Sequence, residues 1–300
     1  MDEVQLQESG SGRMNRRKFL YGGVATVSSL AIAGCIGGIA TRNDVQITYR
    51  DISIPNLPPE FKGTTITLAS DVHSSPYMMR DELISIAHTI NSLQSDIILL
   101  PGDFVTTHRD ELPPIVEAFS LLKAPMGVYA TTGNHEFYVD ADLVSEGIAS
   151  AGITMIRNGN IPLKKGDATV YLLGVDDIDS DGILDHVDGK VAPHIDAVYS
   201  GVPNNAATIL MCHKPYRFEE YAKTDVGLIV SGHTHGGQIV LAKFGKTVIC
   251  PSAFASKYIQ GMYTSENGSK TQMYVSRGLG TVALPMRLNC PPEIVKFTLV

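Results

Sequence analysis

Six short apolar runs punctuate the chain, at residues 64–70, 97–101, 127–132, 170–175, 207–212 and 226–231. Each ends in polar residues, and amphipathic stretches with helical spacing lie between the early ones, at 81–93 and 115–122. Residues 45–54 alternate between apolar and polar and predict a strand that ends at Pro55. Strands alternating with helices predict an α/β fold with a largely parallel or mixed sheet. After residue 236 the pattern turns to β, with runs at 238–241, 246–250, 271–276 and 293–300. Gly166-Asp167, between Lys165 and a strand, reads as a hairpin turn. Gly and Pro are spread throughout, so no linker divides the chain, and no internal repeat is present.

The first 46 residues follow a different pattern. Residues 14–35 read MNRRKFLYGGVATVSSLAIAGC. A basic start with Arg16-Arg17 precedes a weakly apolar stretch too short, and too broken by Gly22-Gly23, to span a bilayer. The arrangement resembles a bacterial twin-arginine export signal, and Ile32-Ala33-Gly34-Cys35 resembles a lipobox in which Cys35 takes the lipid. The expectation is an exported protein, tethered by residues 36–46 to the membrane or cell envelope, with its catalytic domain (residues 47–300) outside the cytoplasmic membrane. Its partners would be the twin-arginine export machinery and, through the lipid anchor, the membrane. Residues 1–13, MDEVQLQESGSGR, precede a better start at Met14 and are set aside as a non-native or misplaced extension. EVQLQESG resembles the opening of an antibody heavy chain, but nothing immunoglobulin-like follows.

Composition narrows the classes. A chain of 300 residues that is 44% hydrophobic can build one substantial core or two small domains. A net charge of −7, with no basic tract beyond the N-terminus, argues against nucleic acid as a partner. Cys35, Cys212, Cys250 and Cys290 form no CxxC pair, so no zinc knuckle is indicated. The last three read as buried thiols, with a Cys250–Cys290 pair as the alternative.

The chemistry lies just after the apolar runs, where open α/β sheets bind ligands. The first run is followed by Asp71-Val-His73, the second by Gly102-Asp103, and the third by Gly133-Asn134-His135-Glu136. The fifth is followed by His213 and the sixth by Gly232-His233-Thr234-His235-Gly236. Five of the nine histidines thus fall at strand ends while the strand interiors stay clean. A lone histidine beside a strand is usually structural; this set is a mixed nitrogen and oxygen ligand set without thiolate. It suits Mn, Fe or Zn better than calcium or a closed structural zinc site. Asp103 has two oxygens and can bridge two cations, and cations ~3.5–4 Å apart are the arrangement that attacks phosphate esters.

The order D-x-H, G-D, G-N-H-E, H, G-H-x-H resembles the calcineurin-like metallophosphoesterases. Residues 275–280 and 285–293 are similar to the exported, membrane-associated branch of that family. The resemblance implies a four-layer α/β/β/α sandwich and two divalent metal ions. The first would be held by Asp71, His73, Asp103 and His235, the second by Asp103, Asn134, His213 and His233. His135 would face the substrate as the catalytic acid. The implied reaction is hydrolysis of a phosphomonoester, phosphodiester or pyrophosphate by in-line attack of a hydroxide bridging the metals. This chain departs from the family at Gly102-Asp-Phe-Val-Thr106, where relatives often carry another acidic or Asn residue after the G-D.

A tethered enzyme suits a lipid or cell-envelope phosphoester. A UDP-2,3-diacylglucosamine pyrophosphatase-like activity in lipid A synthesis is an alternative that the export signal weighs against. A metal-binding envelope lipoprotein without catalysis is the alternative of another class, and it has no use for His135. Asp177, Asp179, Asp181 and Asp188 match much of a calcium-loop pattern but lack its closing Glu, so an acidic surface loop is the plainer reading. Arg277 and Arg287 are candidates for contact with a substrate phosphate. His88, His108, His186 and His194 read as structural or solvated.

Overall fold

A computed structural model of the chain describes residues 41–176, 195–245, 247–254 and 256–300. The export signal, Cys35, residues 36–40 of the tether, the acidic loop with Asp177, Asp179, Asp181 and Asp188, and His186 and His194 lie outside the described residues.

Two six-stranded sheets carry the fold. The first contains β1 (Gln46–Ile52), β2 (Thr65–Leu68), β3 (Ile97–Pro101), β4 (Val128–Thr131), β5 (Thr154–Met155) and β14 (Glu293–Leu299), in the order β1-β14-β2-β3-β4-β5. The second contains β6 (Gly159–Lys165), β7 (Ala168–Val175), β8 (Thr208–Cys212), β9 (Leu228–Ser231), β12 (Gly261–Thr264) and β13 (Gln272–Val275), in the order β12-β13-β9-β8-β7-β6. β2, β3, β4 and β5 run parallel, as do β7, β8, β9 and β13. A separate hairpin of β10 (Ala242–Phe244) and β11 (Thr247–Ile249) belongs to neither sheet.

Strand alternation explains how both faces of each sheet are buried. In β3, Ile97 and Leu99 face the second sheet and pack with Ile209, Met211, Leu228 and Val230, while Ile98 and Leu100 face the opposite way. There they meet α1 (Arg80–Ser92), α2 (Leu112–Phe119) and α4 (Ala141–Ser150) through Leu83, Ile86, Ile115, Phe119, Val144 and Ile148. On the far side, Leu210, Ile229 and Met273 pack against Val198 of α5 (Ile195–Val198) and Phe218 and Tyr221 of α6 (Phe218–Tyr221). The layers are therefore helix, sheet, sheet, helix, as expected.

The details differ from the sequence pattern in three places. Residues 238–241 form no strand; Ile239 makes an isolated bridge to Leu288 instead. α2 starts three residues before its apolar pattern because Pro113 and Pro114 occupy its first turn, where no amide donor is needed. α3 (Asn134–Val139) carries site residues rather than an apolar stripe, so its periodicity is silent. Gly166-Asp167 does turn the β6–β7 hairpin, with Lys165 opposite Ala168. Cys212, Cys250 and Cys290 are buried, and Cys250 and Cys290 are free thiols, not a pair. His88 and His108 are exposed.

Candidate metal centre

Parallel strands end at the same edge of each sheet, and the two edges meet. β2 delivers Asp71 and His73, β3 delivers Asp103, and β4 delivers Asn134 and His135 at the start of α3. From the second sheet, β8 delivers His213, and β9 delivers His233 and His235. Backbone bonds tie these loops together: Asp71 N donates to Gly102 O, His73 N to Asp103 O, and Gly232 N to His213 O.

The backbone turns sharply at the candidate ligands. Asp71, His73, Asp103, His233 and His235 all have φ between 49° and 71°, a region that non-glycine residues rarely adopt. Each such residue costs of order 1–3 kcal/mol, and this strain concentrates at functional sites. Gly102 and Gly236 turn the chain with positive φ. Gly133 and Gly232 serve by lacking a side chain: a Cβ there would overlap the carboxylate oxygens of Asp103 and Asp71 respectively.

Three groups of ligand atoms converge: Asp71, His73 and His235; His73, Asp103 and His135; and Asp103, His213 and His233. Asp103 joins them. Its Oδ1 accepts from the His135 amide at 3.0 Å, which turns Oδ2 inward. Oδ2 then lies 2.9 Å from His213 Nε2 and 3.4 Å from His73 Nε2. Asp71 is held in the same way, its Oδ1 accepting from the His233 amide at 2.7 Å. Two histidines have fixed tautomers. A carbonyl only accepts, so His213 Nδ1 must donate to Pro101 O and His135 Nδ1 to Thr106 O, which leaves each Nε2 free of that proton.

Asp71 Oδ2 and Asn134 Oδ1 are buried without a hydrogen-bond partner, and His73 Nε2 faces His235 Nε2 at 3.1 Å. Burial outweighs His213 and holds the Asp71 carboxyl above its ordinary value. Burial also pushes Asp103 up, but the imidazoles of His213 and His135 prevail and hold it well below the usual carboxylate range. His233 and His235 are held well below the ordinary imidazole value, by burial first and then by His213 and His73 respectively. Neutral imidazoles, an orphaned carboxylate oxygen and an orphaned amide oxygen are a donor set that fits divalent metal ions.

Glu136 carries no sequence-level assignment but organises the site. Its buried carboxylate accepts from Asp103 N (2.9 Å), Phe104 N (2.8 Å) and Gly133 N (2.6 Å). It clamps the Asp103 turn onto the start of α3, and burial, then the Asp103 charge, pushes its carboxyl up to about 7. The available signal was its place three residues after the helix-starting Gly133, half of a capping box. After Gly102-Asp103, where relatives often carry another acidic or Asn residue, this chain has Phe104. Phe104 points into the core against Phe119, and the Asp103 turn takes its support from Glu136.

The two arginines stand elsewhere than expected. Arg287 is fully buried and donates to the carbonyls of Gly280, His235, Cys290 and Arg277, behind His235, so it cannot reach a phosphate in the cavity. Arg277 pairs with Glu293 at 3.2 Å and lies outside the cavity lining. The cation at the cavity wall is Lys214. A cavity of about 570 Å³ opens over the centre, with Asp103, Asn134, His135, His233 and His235 in its floor. Tyr138 packs edge-on to His135 and Tyr216 edge-on to His233, while Ile239, Val282 and Leu284 give it an apolar side.

Comparison with known proteins agrees with this geometry. The family profile described as Calcineurin-like phosphoesterase matches residues 64–237. The chain is 31% identical over 298 residues to the uncharacterized metallophosphoesterase YkuE of Bacillus subtilis (strain 168), covering 96% of this chain and 98% of that one. It is 31% identical over 245 residues to an uncharacterized metallophosphoesterase of Aquifex aeolicus (strain VF5), covering 79% and 86%. A Bos taurus transmembrane protein with metallophosphoesterase domain is 27% identical over 292 residues, and this chain spans 63% of its length. The chain belongs to the calcineurin-like phosphoesterase family and is a metal-dependent phosphoesterase.

Proposed function

We propose that the chain hydrolyses a phosphoester at a two-cation centre bridged by Asp103. Asp71, His73, Asp103 and His235 would hold one cation; Asp103, Asn134, His213 and His233 would hold the other. The observation that carries this reading is the position of Asp103 Oδ2, between His213 of one group and His73 of the other. When bound, two such cations supply Lewis acidity to the phosphoryl oxygens and make water acidic enough to attack.

The remaining work falls to the chain's own side chains. His135 sits at the cavity floor with Nδ1 donating to Thr106 O, so its Nε2 faces the substrate; once Nε2 has taken a proton from solvent, the resulting imidazolium hands that proton to the leaving oxygen. Lys214 offsets charge on the substrate from the cavity wall. Tyr138 and Tyr216 hold the His135 and His233 rings edge-on and narrow the entrance. The apolar side of the cavity suits a substrate whose phosphoester sits next to hydrocarbon, and a lipid or cell-envelope phosphoester fits the export signal at Arg16-Arg17 and the lipobox at Cys35.

Hydrolysis of p-nitrophenyl phosphate and bis(p-nitrophenyl) phosphate, with Mn²⁺ and after chelation, tests the reading. Manganese-dependent turnover that chelation abolishes is expected. A metal-loaded protein that hydrolyses neither ester would overturn it in favour of a metal-binding lipoprotein.

A further inference from the structure

The wall of the cavity continues outward into exposed apolar side chains. The β10–β11 hairpin leaves the cavity at Ile239 and returns to it at Pro251. Register fixes its faces. Val248, opposite Lys243, is buried, so the other face, with Ala242 opposite Ile249 and Phe244 opposite Thr247, is turned outward. Phe244 is 69% exposed, and the flanking Leu241 is 68% exposed. The turn after Pro251 presents Phe254, 98% exposed, and the opposite cavity margin presents Leu284. Solvated monomers scatter such residues singly; here four of them stand in or beside one short hairpin at the mouth of the site.

Charge separates the same region from the rest of the chain. Between residues 226 and 292 the sequence has six Lys or Arg and one acidic residue, Glu266, in a chain of net charge −7; of the six, Arg287 is buried against carbonyls, Arg277 pairs with Glu293 and Lys257 with Glu266. Lys243, on the Val248 face of the hairpin, and Lys257 are exposed at the margin of the apolar residues. Apolar tips with lysine at their margin match the depth profile of a lipid surface: hydrocarbon below, anionic headgroups at the boundary. Among the described residues no helix is long and apolar enough to cross a membrane, so this contact is peripheral.

We infer that Leu241, Phe244, Ile249 and Phe254, with Lys243 and Lys257, form a platform that docks the mouth of the metal centre onto an anionic lipid bilayer. The inference deepens the proposed lipid or envelope substrate and rests on that reading for its purpose. Docked this way, the apolar side of the cavity is continuous with the bilayer, and a lipid-borne phosphoester reaches Lys214 and His135 without its hydrocarbon crossing water. A tether alone would hold the enzyme near the membrane without orienting it.

The chain has no tryptophan, so Phe254→Trp introduces a single reporter. Tyr49→Trp, on an exposed side chain of edge strand β1, is the control. The full chain of each is mixed with vesicles of phosphatidylglycerol, or of phosphatidylcholine, whose acyl chains carry bromine. The expected result is a blue shift and quenching at position 254 on phosphatidylglycerol and none at position 49. The quenching should weaken severalfold on phosphatidylcholine or in about 0.5 M salt. Equal quenching at both positions, or none at 254, overturns the proposal. So does emission at 254 that is already blue-shifted without lipid, which would mean that residues 20–34 or a second copy cover the patch. Equal quenching on both lipids overturns its electrostatic half. Hydrolysis of bis(p-nitrophenyl) phosphate in the same samples separates the two claims: turnover without docking removes the platform, and docking without turnover removes the phosphoesterase reading.

Discussion

Gly232→Ala isolates one steric fact. Gly232 does not lie in the left-handed region, so alanine meets no backbone penalty there. Alanine at such a position ordinarily stabilises by about 0.4–1 kcal/mol by restricting the unfolded chain. Here its Cβ would overlap Asp71 Oδ2 and come within 2.8 Å of Ser70 Oγ and 3.0 Å of Asp71 Cγ. Carbon contacts relax at about 3.5 Å, so the Asp71 carboxylate must yield by about 1 Å. Overpacking of this kind costs about 1–3 kcal/mol, which offsets the gain and leaves the chelated protein destabilised by about 1–2 kcal/mol in urea. A misplacement of about 1 Å costs roughly 100-fold in turnover. The assay is metal content per chain and hydrolysis of bis(p-nitrophenyl) phosphate. Gly166→Ala is the control: its φ is +62° with no atom near the added Cβ, so it carries backbone strain only. It should lose about 1 kcal/mol of stability with metal content and turnover intact. A Gly232→Ala protein with full metal content and parental turnover would refute the placement of Asp71.

Three further outcomes follow from the same geometry. His135→Ala should lower turnover about 10²–10⁴-fold at near-normal metal content; loss of both metals would show that His135 is a ligand, measured by elemental analysis. His233 and His235 have depressed folded pKa values, against an ordinary 6.5, so their contribution to stability is complete above about pH 6.5 and is lost as pH falls. Urea midpoints of the chelated protein should drop between about pH 7 and 5.5, by at most about 1.4 kcal/mol per pH unit for each ring, less the opposing gain from Glu136, whose carboxyl is pushed up to about 7; the His233→Asn, His235→Asn double variant should abolish or reverse the drop, and a variant that kept the parental drop would contradict this. Arg287→Met should destabilise by about 2–5 kcal/mol, because four carbonyls lose a buried cationic donor that has no carboxylate partner; a loss below about 0.5 kcal/mol in the same titration would be inconsistent with it.

The candidate ligands were legible because the parallel strands that deliver them carry no carboxylate, amide or imidazole side chain until they end, their polar side chains being hydroxyls and the Cys212 thiol. Asp71, Asp103, Asn134, His213 and His233 therefore stand out against clean apolar runs, and their common edge follows from strand direction. α3 was not legible, since it starts at Asn134 and spends its residues on the site. Residues 238–241 have the composition of a strand, but Val240 N donates to Leu288 O and Leu288 N to Gln238 O, so they pair with an irregular segment instead of a sheet. Arg287 was misjudged because sequence does not distinguish a cation aimed at an anion from one saturated by backbone carbonyls. The left-handed backbone at His233 and His235 was hidden as well, because the flanking glycines draw the eye while the histidines carry much of the turn.

The central claim is that Asp103 bridges two cations. Anomalous diffraction from crystals of the manganese-loaded protein tests it most directly. The account predicts two peaks about 3.5–4 Å apart on either side of Asp103 Oδ2, one toward His73 and His235 and one toward His213 and His233. A single peak, or two peaks of which one does not contact Asp103, would contradict it.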